Sequence, residues 1–163
     1  MGHQKLIRLA VKRAKALKTR CLVVTFDPSP GEFLRLYNYR PLLSAAKKIE
    51  ILKVMGVDAV VLLPFNKDLA CLSPESFVNM VLTTQLKVMD VYIGEDFCFG
   101  KDRAGDVETL KELGPKMGFS VHRVPLTRVD GEKISAAKIR QLIDKGDLSK
   151  AEKLLGWKLK GIP

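Results

Sequence analysis

Three short stretches of this 163-residue chain carry residue types whose spacing could do chemistry. In "DGEKISAAKIR" (130–140), Ser135 stands where it can cap a helix whose next turn brings Lys138 and Arg140. A helix N-terminus beside a guanidinium fork suits phosphate oxygens, and a capped surface helix is the plain alternative. In "GEDFCFGKDRAGD" (94–106), Phe97 and Phe99 flank Cys98 among Gly, Asp and Lys. Two exposed aromatics there would suit a planar ligand; a loop folded back over the core would account for them equally. In "FDPSPGEF" (26–33), Asp27-Pro28 and Pro30-Gly31 either shape a ligand loop or punctuate a turn. The chain also opens "MGHQKLIRLAVKRAKALKTR", an amphipathic helix with a Gly-His entry and no strand ahead of it. In α/β proteins such an entry normally follows a strand, because the strand-to-helix turn aims backbone N–H groups at a phosphate.

The elements that would position these loops follow from hydrophobic patterning. "RCLVVTF" (20–26), "DAVVLLP" (58–64), "DVYIG" (90–94) and "FSVHRVP" (119–125) read as strands, the first three apolar on consecutive positions as buried parallel strands are. Between them, "SAAKKIEILKVMG", "SPESFVNMVLTTQL" and "DVETLKELGPKMG" read as helices, with Ser73-Pro74 as a start and Gly56 as a stop. After the last strand come "SAAKIRQLIDKG" and "DLSKAEKLLG", two short helices, the second with Asp147 as its N-cap. This alternation predicts an α/β fold with a doubly wound parallel sheet, whose ligands lie beyond the carboxyl ends of the strands. The loops singled out above fall there.

Composition narrows the class. Hydrophobic residues make up 47% and charged residues 28%, as in a globular domain, and no apolar run approaches the roughly 20 residues that span a bilayer. Cys21, Cys71 and Cys98 are far apart, without a CxxC or a secretory leader, so a reducing cytoplasm is expected and neither a disulfide framework nor a zinc site. The net charge is +10, and Lys5, Arg8, Lys12, Arg13, Lys15, Lys18 and Arg20 fall in one segment without an acidic residue. We read that run as a solvated helix face, with Leu6, Leu9, Ala10, Arg13 and Leu17 on the inner side, and keep nucleic acid as a minor partner class.

Taken together, "VVTFDPSP", "GVDAVVLLPFN", "LSPESFV", "GEDFCFGKDRAGDVETLKELG" and "GEKISAAKIR" resemble, in order and spacing, the adenylyltransferase module of the prokaryotic bifunctional riboflavin kinase/FAD synthetases. The likeness runs from Gly2 to about Gly156. It implies a Rossmann-like nucleotidyltransferase fold and transfer of AMP from ATP to the phosphate of FMN, with Mg²⁺ on the triphosphate. Its domain would be residues 1–156, incomplete at the N-terminus because the first strand is missing, with 157–163 starting a linker to an absent riboflavin kinase domain. Gly2-His3 matches the end of the family's His-x-Gly-His motif, and Arg140 the end of its Ser-Ser-Thr-x-x-Arg-like motif. The resemblance therefore implies catalytic roles for His3 and Arg140 and an ATP site of Gly2, His3, Asp96, Lys133, Ser135 and Arg140. It implies a flavin site of Asp27, Ser29, Phe33, Phe97 and Phe99, with Leu34 as an alternative to Phe33.

The departures fall on the same places. Ser29 stands where a histidine is usual, Ala136 and Ala137 lack two hydroxyls, and Cys98 replaces an arginine. Three readings follow: an FMN adenylyltransferase with impaired turnover, a non-catalytic flavin- or nucleotide-binding paralogue or fragment, and a basic nucleic-acid-binding module.

Overall fold

The four main strands form and pair two by two. In a computed structural model, which describes residues 2–35, 42–125, 128–129, 132–133 and 136–156, β1 (Leu22–Asp27) pairs in parallel with β2 (Ala59–Pro64). Likewise β3 (Asp90–Gly94) pairs in parallel with β4 (Ser120–Val124). Among the described residues no ladder joins β1 to β3.

A single helix lies across both pairs. α1 (Gly2–Ala16) buries Ile7, Val11 and Ala14 against Cys21, Leu52 and Val57, with Val23 and Val60 of β1 and β2 packed on the same cluster. Near its other end, Arg13 Nε lies 3.4 Å from Asp90 Oδ2 at the start of β3. The beginnings of β1 and β3 thus sit at the C-terminal end of α1. At its N-terminal end, His3 is close enough to Asp96, just past β3, to feel its charge. The two strands therefore run the same way, antiparallel to α1, although they are not bonded to each other.

Period-two alternation then sorts the faces. Asp90 and Tyr92 of β3 face the α1 side, where Tyr92 stacks on His122 at 4.4 Å. Val91 and Ile93 belong to the opposite cluster, with Phe77, Val78, Leu110 and Phe119. In β1, Val23 faces α1 and Phe26 packs into the second cluster. Helices on both faces of parallel strands make this the doubly wound arrangement the alternation predicts.

The helices begin where short polar side chains satisfy their free N–H groups. α3 (Ala45–Val54) is capped by Ser44, whose hydroxyl accepts from the Lys47 N–H at 3.2 Å. α5 (Pro74–Phe77) is capped by Ser73, with proline in its first turn, and widens into a π-helical stretch over Val78–Gln85. α6 (Val107–Lys116) starts at Asp106, and Gly56 ends the α3 turn with φ at +85°. Two one-turn helices not expected from periodicity, α2 (Pro30–Phe33) and α4 (Lys67–Ala70), follow β1 and β2. A short antiparallel pair, β5 (Arg128–Val129) and β6 (Glu132–Lys133), precedes α7 (Ala136–Asp144) and α8 (Leu148–Leu155). These last two helices bury Ile139, Ala151 and Leu155 together.

Two expectations are corrected. The strands read as fully buried are not: every residue of β1 and β2 is half-buried or exposed, Leu22 at 37% and Leu62 at 41%. The reason is that, among the described residues, each sheet has only two strands, so both are edge strands. Leu9 of α1 and Leu17 just beyond it are exposed, and Ile7, Val11 and Ala14 supply the buried face instead. The seven basic residues of that segment are all exposed, as a solvated face requires.

Candidate active site

At the carboxyl end of β1 the chain turns through a cis Asp27-Pro28 peptide into α2. The Glu32 carboxylate reaches back to the Ser29 N–H at 2.9 Å and accepts from the Ser29 hydroxyl as well. Those two bonds, the hydroxyl first, hold the Glu32 carboxyl below the ordinary range. Ser29 thus closes its own turn. Phe33 sets its ring edge-on to Phe65 at 5.4 Å, and Phe65 meets Phe26 at the same distance, so three aromatics gather above β1 and β2. Asp27 is exposed at the strand end, with its carbonyl accepting from the Phe65 N–H at 3.4 Å.

The loop after β3 folds back on the body of the molecule. Phe99 and Gly105 exchange backbone hydrogen bonds at 2.9 and 3.0 Å, and the Lys101 N–H donates to the Leu72 carbonyl at 2.7 Å. Glycine is required at this crossing: a Cβ on Gly105 would lie 2.8 Å from the Phe99 ring, and one on Gly100 2.9 Å from Pro74. The expectation of two exposed aromatics is corrected accordingly. Phe99 is only 7% exposed, packed with Phe77 and stacked on Phe97. The loop caps the core, and Phe97 is half-buried against it.

Between these loops lies the N-terminal turn of α1. His3 keeps exposed surface, yet its imidazole is held below the usual range, chiefly because protein displaces water around it and next by the charge of the amino terminus; Asp96 opposes the shift and Lys48 adds a smaller lowering. Lys48, in the first turn of α3, donates to Thr25 Oγ1 of β1 at 3.4 Å. His3, Asp96, Lys48, Thr25 and the 26–33 loop therefore converge at one end of the strands. α8 docks on the same end of α1, where Gln4 Nε2 donates to the Leu155 and Gly156 carbonyls at 3.3 and 3.4 Å.

The remaining expected residues divide. Arg140 is half-buried in α7, which packs on α8, and Ala136 and Ala137 are exposed at the start of α7. Lys133 lies in β6 with its side chain outside what is described, Gly2 opens α1, and Ser135 falls outside the described residues. Sequence reasoning missed Phe65 and Lys48. Both carried a signal: Phe65 directly follows a strand, and of two adjacent lysines on a helix only one faces away from the protein. Lys47 takes the outward position, paired with Glu50 at 2.9 Å.

Parallel strands wound on both sides by helices, with polar and aromatic groups gathered beyond their carboxyl ends, define a Rossmann-like α/β protein. A search of protein families makes this specific: residues 1–138 match the FAD synthetase family, and the chain belongs to it. Among similar proteins is the bifunctional riboflavin kinase/FMN adenylyltransferase of Pseudomonas fluorescens, 35% identical over 155 residues, which cover 95% of this chain and 50% of that one. The protein of the same description from Buchnera aphidicola of Schizaphis graminum is 33% identical, covering 96% and 51%. A crystal structure described as a macrolide-efflux protein from Streptococcus pneumoniae superposes with a TM-score of 0.83 at 32% identity, covering 97% of this chain and 51% of that one. The chain thus spans about half the length of these relatives. Among the described residues no helix is long and apolar enough to cross a membrane.

Proposed function

We propose that residues 1–156 act as an FMN adenylyltransferase unit, transferring AMP from ATP to FMN to give FAD and pyrophosphate, with 157–163 opening a linker. The observation that carries this reading is the meeting of His3, Asp96 and Lys48 beside the 26–33 loop, at the strand ends of a chain that belongs to the FAD synthetase family. In this reaction an FMN phosphate oxygen attacks the α-phosphorus of ATP, and the bond to the bridging oxygen of pyrophosphate breaks. No protein nucleophile is needed, so the residues act by positioning and by offsetting negative charge. His3, its imidazole lowered and therefore mostly neutral at pH 7, acts as a hydrogen-bond donor rather than a charge. In the same reading Arg140, Lys133 and Ser135 lie on the triphosphate, while Asp27, Ser29, Phe33 and Phe97 border the flavin. Phe99 supports that side from within the core.

Mg²⁺ would accompany the triphosphate. Among the described residues no three His, Cys, Asp or Glu side chains group as metal ligands. A cytoplasmic setting belongs to the same proposal and is supported by three free thiols. A non-catalytic flavin- or nucleotide-binding role is the second reading, favoured by the missing hydroxyls at Ala136 and Ala137. The test is to incubate the chain with ATP, FMN and Mg²⁺ and to follow pyrophosphate and FAD. FMN-dependent pyrophosphate is expected; binding of both ligands without pyrophosphate would favour the second reading.

A further inference from the structure

Lys48 touches β1 on the α1 side of the site, and the sequence motifs leave this charged group without a role. Its neighbour Lys47 is exposed and paired with Glu50. Lys48 is half-buried, touches the Thr25 hydroxyl at 3.4 Å and makes no ion pair among the described residues. A half-buried lysine lays its stem along the protein and keeps its ammonium available to an anion. Glu32 does not fill that place: its carboxylate is turned onto the Ser29 N–H and hydroxyl. Yet Lys48 is near enough to act electrostatically both on Glu32, in the loop after β1, and on His3, at the end of α1. It therefore stands between the two groups of residues assigned above to the flavin and to the triphosphate.

We propose that Lys48 is the specificity residue for the acceptor's phosphate, its ammonium, braced by Thr25, pairing with that group and so selecting a phosphorylated flavin over the free one. The inference rests on the flavin reading of the site and adds to it the group that distinguishes FMN from riboflavin. A compact point charge fits this task, since an ammonium can serve a phosphate that must turn to present one oxygen to the α-phosphorus.

Flavin fluorescence titration of the full chain with FMN and with riboflavin, in the presence of a non-hydrolysable ATP analogue, tests this without requiring turnover. The wild-type protein should bind FMN at least tenfold more tightly than riboflavin, and the preference should shrink as salt rises. Lys48→Met should weaken FMN about tenfold and leave riboflavin unchanged, and Lys48→Arg should keep most of the preference. Lys48→Gln repeats the measurement should the Met variant not melt cooperatively. An unchanged FMN-to-riboflavin ratio, or an equal loss for both flavins, would overturn the role of Lys48 while leaving the flavin site standing. Wild-type protein that binds neither flavin would overturn the site itself and this role with it.

Discussion

Phe99 sits in the loop nearest the expected flavin, but its ring belongs to the core, 7% exposed between Phe77 and Phe97. Truncating a buried Phe costs about 3–5 kcal/mol, which for a chain of this size lowers the melting midpoint by roughly 10 °C. Phe99→Ala should therefore show a large loss of stability in a thermal melt. Phe97→Ala, at a half-buried ring, should change stability little and flavin titration more. A stable Phe99→Ala protein with weakened flavin binding would reverse these assignments. Ser29 makes a related point at the same scale. Its hydroxyl is already used on Glu32, so its role in the turn is as a cap, and a ligand would have to compete for it.

At the scale of elements, α1 is fastened to the second strand pair by one carboxylate. Asp90 accepts from His122 Nε2 at 2.5 Å and from Arg13 Nε at 3.4 Å, joining α1, β3 and β4. Burial pushes the Asp90 carboxyl up, but the hydrogen bonds from His122 and then Arg13 outweigh it and leave the group below its ordinary value. A carboxyl lowered in the folded state contributes stability above its unfolded pKa, about 3.9, and loses it as pH falls through the folded value. Asp90→Asn should thus cost on the order of 1 kcal/mol at pH 7, discounted because both donors are partly exposed. The difference from wild type should shrink as pH falls below about 4, toward and through the lowered folded value. Urea unfolding of both proteins at pH 7 and pH 3 checks this, and a penalty independent of pH would point to lost packing instead.

At the scale of the molecule, the distinctive feature is the split sheet. β1 and β3 run the same way under α1, yet among the described residues neither ladder continues into the other. Parallel edges left this way expose backbone donors and acceptors and invite aggregation. A strand added ahead of α1 and running beside β1 would complete a right-handed strand–helix–strand unit and cover the apolar residues now half-exposed. Burying three large side chains contributes roughly 5 kcal/mol or more, a large fraction of a typical domain's stability. A chain extended upstream by the strand and His-containing turn of the FAD synthetase family should accordingly melt well above residues 1–163. Equal midpoints would show that the strand pairs are satisfied as they stand.

The sequence by itself determined the four strands, the helices between them and the helix ends at Ser73, Gly56 and Asp147, because those follow from local periodicity and from short polar side chains beside free N–H groups. It also determined the family, since the loop motifs survive as contiguous strings. Tertiary structure decided what each loop side chain faces. Phe97 and Phe99 are two residues apart and chemically identical, yet Phe99 is drawn into the core because Gly100 and Gly105 let Pro74 and its own ring come close. Lys47 and Lys48 differ likewise only in which way the helix turns them. The split of the sheet was not legible, because which strands pair is set by contacts far apart in sequence. That the remaining strands keep their common direction, held by α1 and the Arg13–Asp90–His122 contact, depends on groups 32 to 109 residues apart in sequence. No local pattern records contacts over such separations, because they exist only once the helix has packed across both pairs.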